Sequence, residues 1–350
     1  MLISVGNAVV DLTARIPALP ERGGDVLATS SGPSVGGAGF NVLVAAARQG
    51  LAGRYGGAHG TGPFGELVRA ALQREGIGVL LPPVPGADTG FDVALTDAGG
   101  ERTFITAVGA ESQLGASRLA AVSVAPGDLV HVSGYSLVHE VSRDAIAGWL
   151  PALPAETLVL FDPGPLGRDI PAGIYSAVLR RATWFSGTLA EAVTAIRAAT
   201  GEGQATEIAA GTAGTATGAG VGTADTVQAA MAAARQLADR PAPAPSRDVS
   251  AGRGVMARRG VIVRLGADGC VLAVSGAEPV HVPGFPVEVR DSNGAGDAHV
   301  GAFLAALAAG QHPLEAARRA NACAALAVTR WGPATSPTGA EVNALLASGA

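Results

Sequence analysis

The heptapeptide Asp291-Ser-Asn-Gly-Ala-Gly-Asp297 sets a carboxylate directly behind two closely spaced glycines, between a strand-like segment at 287–290 and a strongly helical run at 297–309 that ends at Gly310. The glycines let backbone N–H groups turn toward one point at the start of a helix, where unsatisfied amides and the helix dipole favour an anion. Asp297 projects from the first turn into that anion site. A carboxylate there is placed to accept a proton from a hydroxyl attacking a phosphoryl group, while the amides stabilise charge on the transferring oxygens. The plainer alternative is a helix cap after a glycine turn. A second glycine cluster, Val35-Gly-Gly-Ala-Gly-Phe-Asn41, also opens a helix, and Asn41 offers a polyol both a donor and an acceptor.

Loops of this kind work only if regular elements hold them. Residues 2–5 read as a strand stopped by Gly6, and residues 8–34 as short strands and turns broken by Pro17, Pro20 and Gly23-Gly24. Helical patterns at 40–49 and 64–74 stop at Gly50 and Gly76. Residues 91–96 and 102–107 flank Asp-Ala-Gly-Gly-Glu, which predicts a β-hairpin. From about residue 128 apolar strands alternate with helices at 143–150, 174–181 and 189–199, and the alternation resumes with Val-Ile-Val-Arg-Leu-Gly at 261–266. That grammar predicts a parallel sheet covered on both faces. Between them, low-complexity stretches at 209–224 and 241–254 flank a helix at 226–239 and read as mobile surface insertions. Helices at 313–328 and 339–347 close the chain.

Composition removes several classes of function. With 48% hydrophobic and 15% charged residues among 350 the chain is globular, and no run approaches the ~18 apolar residues of a membrane span. All 24 basic residues are arginine. Lacking lysine, the chain can form neither a Walker phosphate loop nor a pyridoxal Schiff base. A net charge of −5, with no basic cluster longer than a pair, gives no footprint for nucleic acid or an anionic membrane. Cys270 and Cys323 are too few for a disulfide framework or a zinc site, and the opening Met-Leu-Ile-Ser-Val-Gly-Asn lacks the pattern of a secretory leader, so the expected compartment is the cytoplasm. A dinucleotide-dependent oxidoreductase is disfavoured: the first strand is not followed by G-x-G-x-x-G and a distant acidic residue.

Eight segments in order resemble the ribokinase (PfkB) family of small-molecule kinases over about residues 2–347, the insertion excepted. They are GNAVVD, GGAGFN, GTGPFGELVRAALQREGI, the hairpin with GERTF, FDPGP, RLGADG, DSNGAGD and TRWGPATSP. The resemblance implies an α/β ribokinase-like fold: one domain with a central, mostly parallel sheet, helices on both faces, a small β-sheet lid from about 8–35 and 88–108, and an insertion at about 201–255. It implies an ATP-dependent kinase that phosphorylates a primary hydroxyl of a sugar. Asp297 falls on the family's catalytic base and the amides of Asn293, Gly294, Ala295 and Gly296 on its anion hole. Asp11, Gly37 and Asn41 fall on substrate-hydroxyl positions, and Thr188, Arg264, Gly266 and Asn321 on the nucleotide site. Glu191 falls on a position linked through water to magnesium. Asp291, Asn293, Ala327, Arg330, Gly332 and Ser336 match the loop pair that holds a monovalent cation, expected to be potassium. A homodimer through the lid is a further arrangement open to such a fold.

The sequence departs from the family pattern at three places. Ala38 stands where a lysine is common, Thr188 replaces the asparagine of an Asn-x-x-Glu motif, and Gly164-Pro165 replaces Asn-Arg after the central Asp-Pro. Aromatics make up 4% of the chain, and the lid segments hold only Phe91 and Phe104, with Phe40 nearby. A purine would need stacking surfaces as well as hydrogen bonds, so a free sugar is expected over a nucleoside. Arg102 leaves a phosphorylated sugar open. A sugar-binding regulator without catalysis is the rival from another class, and Asp297 argues against it. His299 and Trp331 are expected to pack, His299 within its helix and Trp331 under the loop.

Overall fold

The computed structural model describes residues 1–99, 102–200, 223–240 and 259–348. The chain opens with β1 (Leu2–Ser4), β2 (Val9–Arg15), β3 (Ser30–Gly36), α1 (Ala38–Arg48), β4 (Gly53–Tyr55), α2 (Pro63–Arg74) and β5 (Gly78–Val79). The hairpin β6 (Phe91–Thr96) and β7 (Arg102–Ala107) leads through a short α3 (Ala116–Leu119) to β8 (Leu129–Ser133), α4 (Glu140–Trp149), β9 (Leu158–Asp162), α5 (Ala172–Arg181), β10 (Trp184–Thr188) and α6 (Leu189–Thr200). Next come α7 (Thr223–Ala238), β11 (Gly260–Arg264), β12 (Cys270–Val274) and β13 (Val280–Val282). Helices α8 (Ala295–Ala308), α9 (Pro313–Ala327) and α10 (Gly339–Ala347) end the described fold.

Nine strands form one sheet in the order β13-β12-β11-β10-β9-β8-β1-β4-β5, and four form a second, β3-β2-β6-β7. In the large sheet every pairing is parallel except β11 with β12 and β12 with β13. Side chains alternate across a strand, and here both sides are apolar. Leu158 and Leu160 of β9 join a core with Trp184, Ile262 and the helices α1, α8 and α9, while Val159 and Phe161 join one with Phe185, Val261 and the helices α4 to α7. Continuous apolar strands are what a sheet buried on both faces requires.

On one face α1 and α8 lie against each other. A Cβ added at Gly301 of α8 would stand 2.5 Å from the Ala45 Cβ and 2.5 Å from the Val42 carbonyl oxygen of α1, so only glycine allows this approach. Behind α8, the rings of Trp184 and Phe303, both fully buried, meet at 4.8 Å with a 64° tilt. These contacts fix where the first turns of α1 and α8 stand relative to the strand ends.

The expected strand at 287–290 does not form. Arg290 and Asp291 donate their backbone N–H groups to the Val328 carbonyl at 2.8 and 3.0 Å, and Val289 is 61% exposed, so the segment is tied to the end of α9 instead of to a sheet edge. Strands β4, β5, β12 and β13 were not anticipated; at two to five residues each they are too short to show a periodicity. Helix α7 begins three residues earlier than expected. The low-complexity stretches at 209–224 and 241–254 lie outside the described residues, save the start of α7.

Replacing Phe303 by Ala should destabilise the protein by ~3–5 kcal/mol, because its ring fills the space between α8 and the sheet. A urea unfolding curve reads this directly, and a loss under ~1 kcal/mol would mean the face collapses around the cavity.

Candidate active site

Ser133, Asp162, Thr188 and Arg264 are the last residues of four neighbouring parallel strands, so their side chains gather at one edge of the sheet, where α/β proteins place their ligands. A cavity of about 430 Å³ lies there, lined by Tyr135, Asp162, Glu191, Arg264 and the loop Ser292–Asp297. A second, of about 440 Å³, lies beneath the small sheet, between Asp11, Thr13 and Arg15 of β2 and the segment Trp331–Pro333. Phe104 and Asn293 line both, so the two are contiguous.

One guanidinium organises the first cavity. Arg264 donates from Nη1 to Asp162 Oδ2 at 2.8 Å and Ser186 Oγ at 2.7 Å, and from Nη2 to Asp162 Oδ1 at 3.3 Å and Glu191 Oε2 at 3.4 Å. Burial works against its charge, but Asp162 and Glu191 outweigh it and hold the group above the usual arginine range. Glu191 is pushed up by burial and by Asp162, against the pull of Arg264. Its carboxylate also accepts the Thr188 N–H at 2.7 Å, so Thr188 and Glu191 cap α6 together.

Asp297 stands at the first turn of α8, facing the cavity. Asn41 Nδ2 donates to its Oδ2 at 2.8 Å, tying α1 to α8. Loss of water around the carboxyl raises its pKa to about 7; the Asn41 bond lowers it, Asp162 raises it further and Arg264 pulls it down. Burial, then the charge of Asp297 and of Asp92, Asp162 and Glu191, pushes the Tyr135 phenol up to about 12, so it keeps its proton.

The loop before α8 is a turn only glycine can make. Gly294 caps the helix with φ of 73°, and an added Cβ would sit 2.0 Å from the Pro333 carbonyl oxygen. Asp291 braces the loop from beneath, its carboxylate accepting the Asn293 N–H at 2.7 Å and the Gly332 N–H at 2.9 Å. The Arg330 side chain reaches Glu341 and the Thr335 carbonyl of its own segment. The Ala327 carbonyl accepts the Thr335 hydroxyl at 3.0 Å, and the Ser336 carbonyl accepts Arg48 Nη1 at 2.7 Å.

Asp297, Gly294, Ala295, Gly296, Asn293, Glu191 and Arg264 thus line the first cavity, and Asp11, Asp291 and Gly332 the second. Gly37 caps α1 beside Asn41. Gly266 and Asn321 line neither cavity. Asn321 is spent within the fold, donating to the Val282 and Pro283 carbonyls at 2.9 and 3.0 Å and meeting His299 Nε2 at 3.1 Å. His299 packs within the core as expected. Trp331 does not pack under its loop: it is 53% exposed, with the Arg15 guanidinium 3.6 Å over its ring. Sequence reasoning passed over Asp162, Tyr135, Ser34 and Asp92. Asp162 was visible as the acid ending an apolar strand, whereas Asp92 and Ser34 come into view only through pairing, since both stand opposite Asp11 in the small sheet.

The profile of the pfkB family carbohydrate kinases matches residues 1–220 and 234–339. The chain belongs to the pfkB family of carbohydrate kinases. This pfkB-family kinase is 30% identical over 338 residues to the uncharacterized sugar kinase YegV of Escherichia coli (strain K12), a match spanning 97% of this chain and 91% of that one. In three dimensions it is similar to a ribokinase from Cryptococcus neoformans var. grubii serotype A in complex with ADP, with a TM-score of 0.73, 21% identity and 98% of each chain covered. It is also similar to a nucleoside kinase from Burkholderia thailandensis in complex with inosine, with a TM-score of 0.70, 16% identity and coverage of 100% of this chain and 97% of that one. Among the described residues no helix is long and apolar enough to cross a membrane.

Gly294→Ala should strain the loop by ~1–3 kcal/mol through its backbone alone, with the Pro333 contact adding to it. Chemical denaturation would show a lowered midpoint at unchanged slope; an unchanged midpoint would mean that the loop relaxes freely.

Proposed function

We propose that this carbohydrate kinase transfers the terminal phosphoryl group of ATP to a primary hydroxyl of a sugar. One observation carries the acceptor's chemistry: Asn41 Oδ1, Ser34 Oγ and Asp92 Oδ1 are buried without hydrogen-bond partners among the described residues, close to the Asn41–Asp297 bond and to Asp11. Each such group costs ~1–3 kcal/mol while unpaired. A molecule bearing several hydroxyls would satisfy them together. The family assignment and the ADP bound by the Cryptococcus ribokinase support ATP as the donor.

In this reading the sugar lies beneath the small sheet with its reacting hydroxyl at Asp297. Asp297 takes the hydroxyl proton as the sugar oxygen bonds to phosphorus and the bond between that phosphorus and the leaving ADP oxygen breaks. Asn293 gives its N–H to Asp291 and Ala295 gives its own to the Ser292 carbonyl at 3.3 Å, so within the 293–296 loop the amides of Gly294 and Gly296 meet the charge on the transferring oxygens, and Arg264 meets the same charge from the strand side. Asn41 orients the carboxylate. The small sheet acts as a lid that keeps competing water out.

Magnesium is a hard ion that takes carboxylate, phosphate and water oxygens, and Asp162 and Glu191 offer carboxylates beside the cavity, so they would hold it, in part through water. Potassium suits backbone oxygens; in the loop pair built on Asp291, Asn293, Ala327, Arg330, Gly332 and Ser336 the Ala327 and Ser336 carbonyls each already accept one hydrogen bond, so they would hold the ion through their remaining lone pairs. Bound at Asp162 and Glu191, magnesium would supply positive charge against the nucleotide phosphates.

A base with a pKa of about 7 must be ionised to act. The expected kcat/KM therefore falls about tenfold per pH unit as pH drops below ~7 and levels off above it. Asp297→Asn should lower kcat by ~10²–10⁴ and abolish that limb, with nucleotide binding retained. Steady-state rates across pH decide: a variant keeping more than about half of kcat would remove Asp297 from the reaction.

A further inference from the structure

The pocket beneath the small sheet has two chemically different ends. The pocket-lining residues of β2 alternate: Asp11 is buried at the inner end, Thr13 lies midway, and Arg15 is exposed at the mouth. Four residues of extended chain separate Asp11 from Arg15, about 13 Å. Strand pairing sets Ser30 and Thr96 beside Arg15, so the row at this end of β2 reads Ser30, Arg15, Thr96, and all three line the pocket. A guanidinium flanked by two hydroxyls offers the donors that oxyanions take.

The Arg15 guanidinium is uncommitted. Among the described residues its side chain makes no hydrogen bond or ion pair, and the guanidinium lies 3.6 Å over the Trp331 ring, so its N–H donors are not taken up by another of these protein groups. In the same pocket Asp291 accepts the Asn293 and Gly332 amides, and Arg330 is held by Glu341.

We propose that the acceptor is an anionic sugar, carrying a carboxylate or a phosphate ester at the end remote from the reacting hydroxyl, and that Arg15, with the hydroxyls of Ser30 and Thr96 and Trp331 as a platform, binds that group. The inference rests on the sugar-kinase reading and narrows its substrate class. Asp11 repels an anion from the inner end, so the molecule enters in one sense only, hydroxyls toward Asp297 and charge toward Arg15. This also keeps the substrate's charge away from the phosphates of the nucleotide.

The test compares kcat/KM, by ADP release, across neutral sugars (glucose, fructose, ribose), sugar acids (gluconate, 2-keto-3-deoxygluconate) and sugar phosphates (glucose 6-phosphate, fructose 1-phosphate, fructose 6-phosphate). Separately, quenching of Trp331 fluorescence, taken as the difference between the wild type and Trp331→Phe, reports binding of the same compounds without turnover. An anionic member should exceed every neutral one by at least about tenfold. Arg15→Gln should erase that preference through KM, and Arg15→Lys should restore part of it. The acid and phosphate arms tell which anion is taken. Wild-type preference for a neutral sugar overturns the proposal and leaves the kinase standing. Equal losses on neutral and anionic members in Arg15→Gln overturn it too, since Arg15 would then only latch the sheet to Trp331. Quenching by anionic members alone, with no phosphorylation of any compound, upholds the anion site and refutes the sugar-kinase reading.

Discussion

Three carboxylates, Asp162, Glu191 and Asp297, face one cavity, and the guanidinium of Arg264 stands among them. Buried like charges cannot share so small a space without a counter-charge, and removing one partner from a buried pair typically costs several kcal/mol. The end of β11 is therefore pinned to the ends of β9 and β10, and the first turn of α6 to both. One guanidinium offsets part of the charge of three carboxylates. Burial is what chiefly lifts the Asp297 carboxyl to about 7, with the Asn41 bond and Arg264 pulling it down and Asp162 adding to the rise.

A second constraint lies across the cavity. The loop preceding α8 is short, glycine-bearing and tied from below by Asp291, while the small sheet approaches from above through the Arg15–Trp331 stack. The inner end of the small sheet is packed, with Val10 in the core and Phe91 on Phe64 at 5.2 Å, while its outer end is held to Trp331 by a contact worth only ~0.5–1 kcal/mol at an exposed site. Such asymmetry suits a site that must admit a polar molecule and then close over it.

How much of this was written in the sequence depends on the range of the interaction. The hairpin 91–96 and 102–107 and the helix 339–347 were legible to the residue, because turn chemistry and local periodicity determine them. Asp297 and its glycines were legible as well, since a loop-to-helix junction announces itself locally. The segment 287–290 misled: its alternation is that of a strand, yet its amides find the Val328 carbonyl, a partner no local pattern reveals. The same limit hid Asp92 and Ser34, whose place beside Asp11 follows from register between strands far apart in sequence. Trp331 was misjudged because its neighbour, Arg15, lies more than three hundred positions away.

The 2.8 Å bond between Asn41 and Asp297 joins residues 256 positions apart. During synthesis Asn41 leaves the ribosome first and waits for nearly the whole chain to follow before Asp297 appears. Closing so long a loop carries an entropic cost that is recovered only when α1 and α8 dock through the Gly301 contact. A nascent or partly unfolded chain therefore lacks the Asn41–Asp297 pair, however much of its sheet has formed, and a cell making this protein meets that pair only in molecules whose two ends have already found each other.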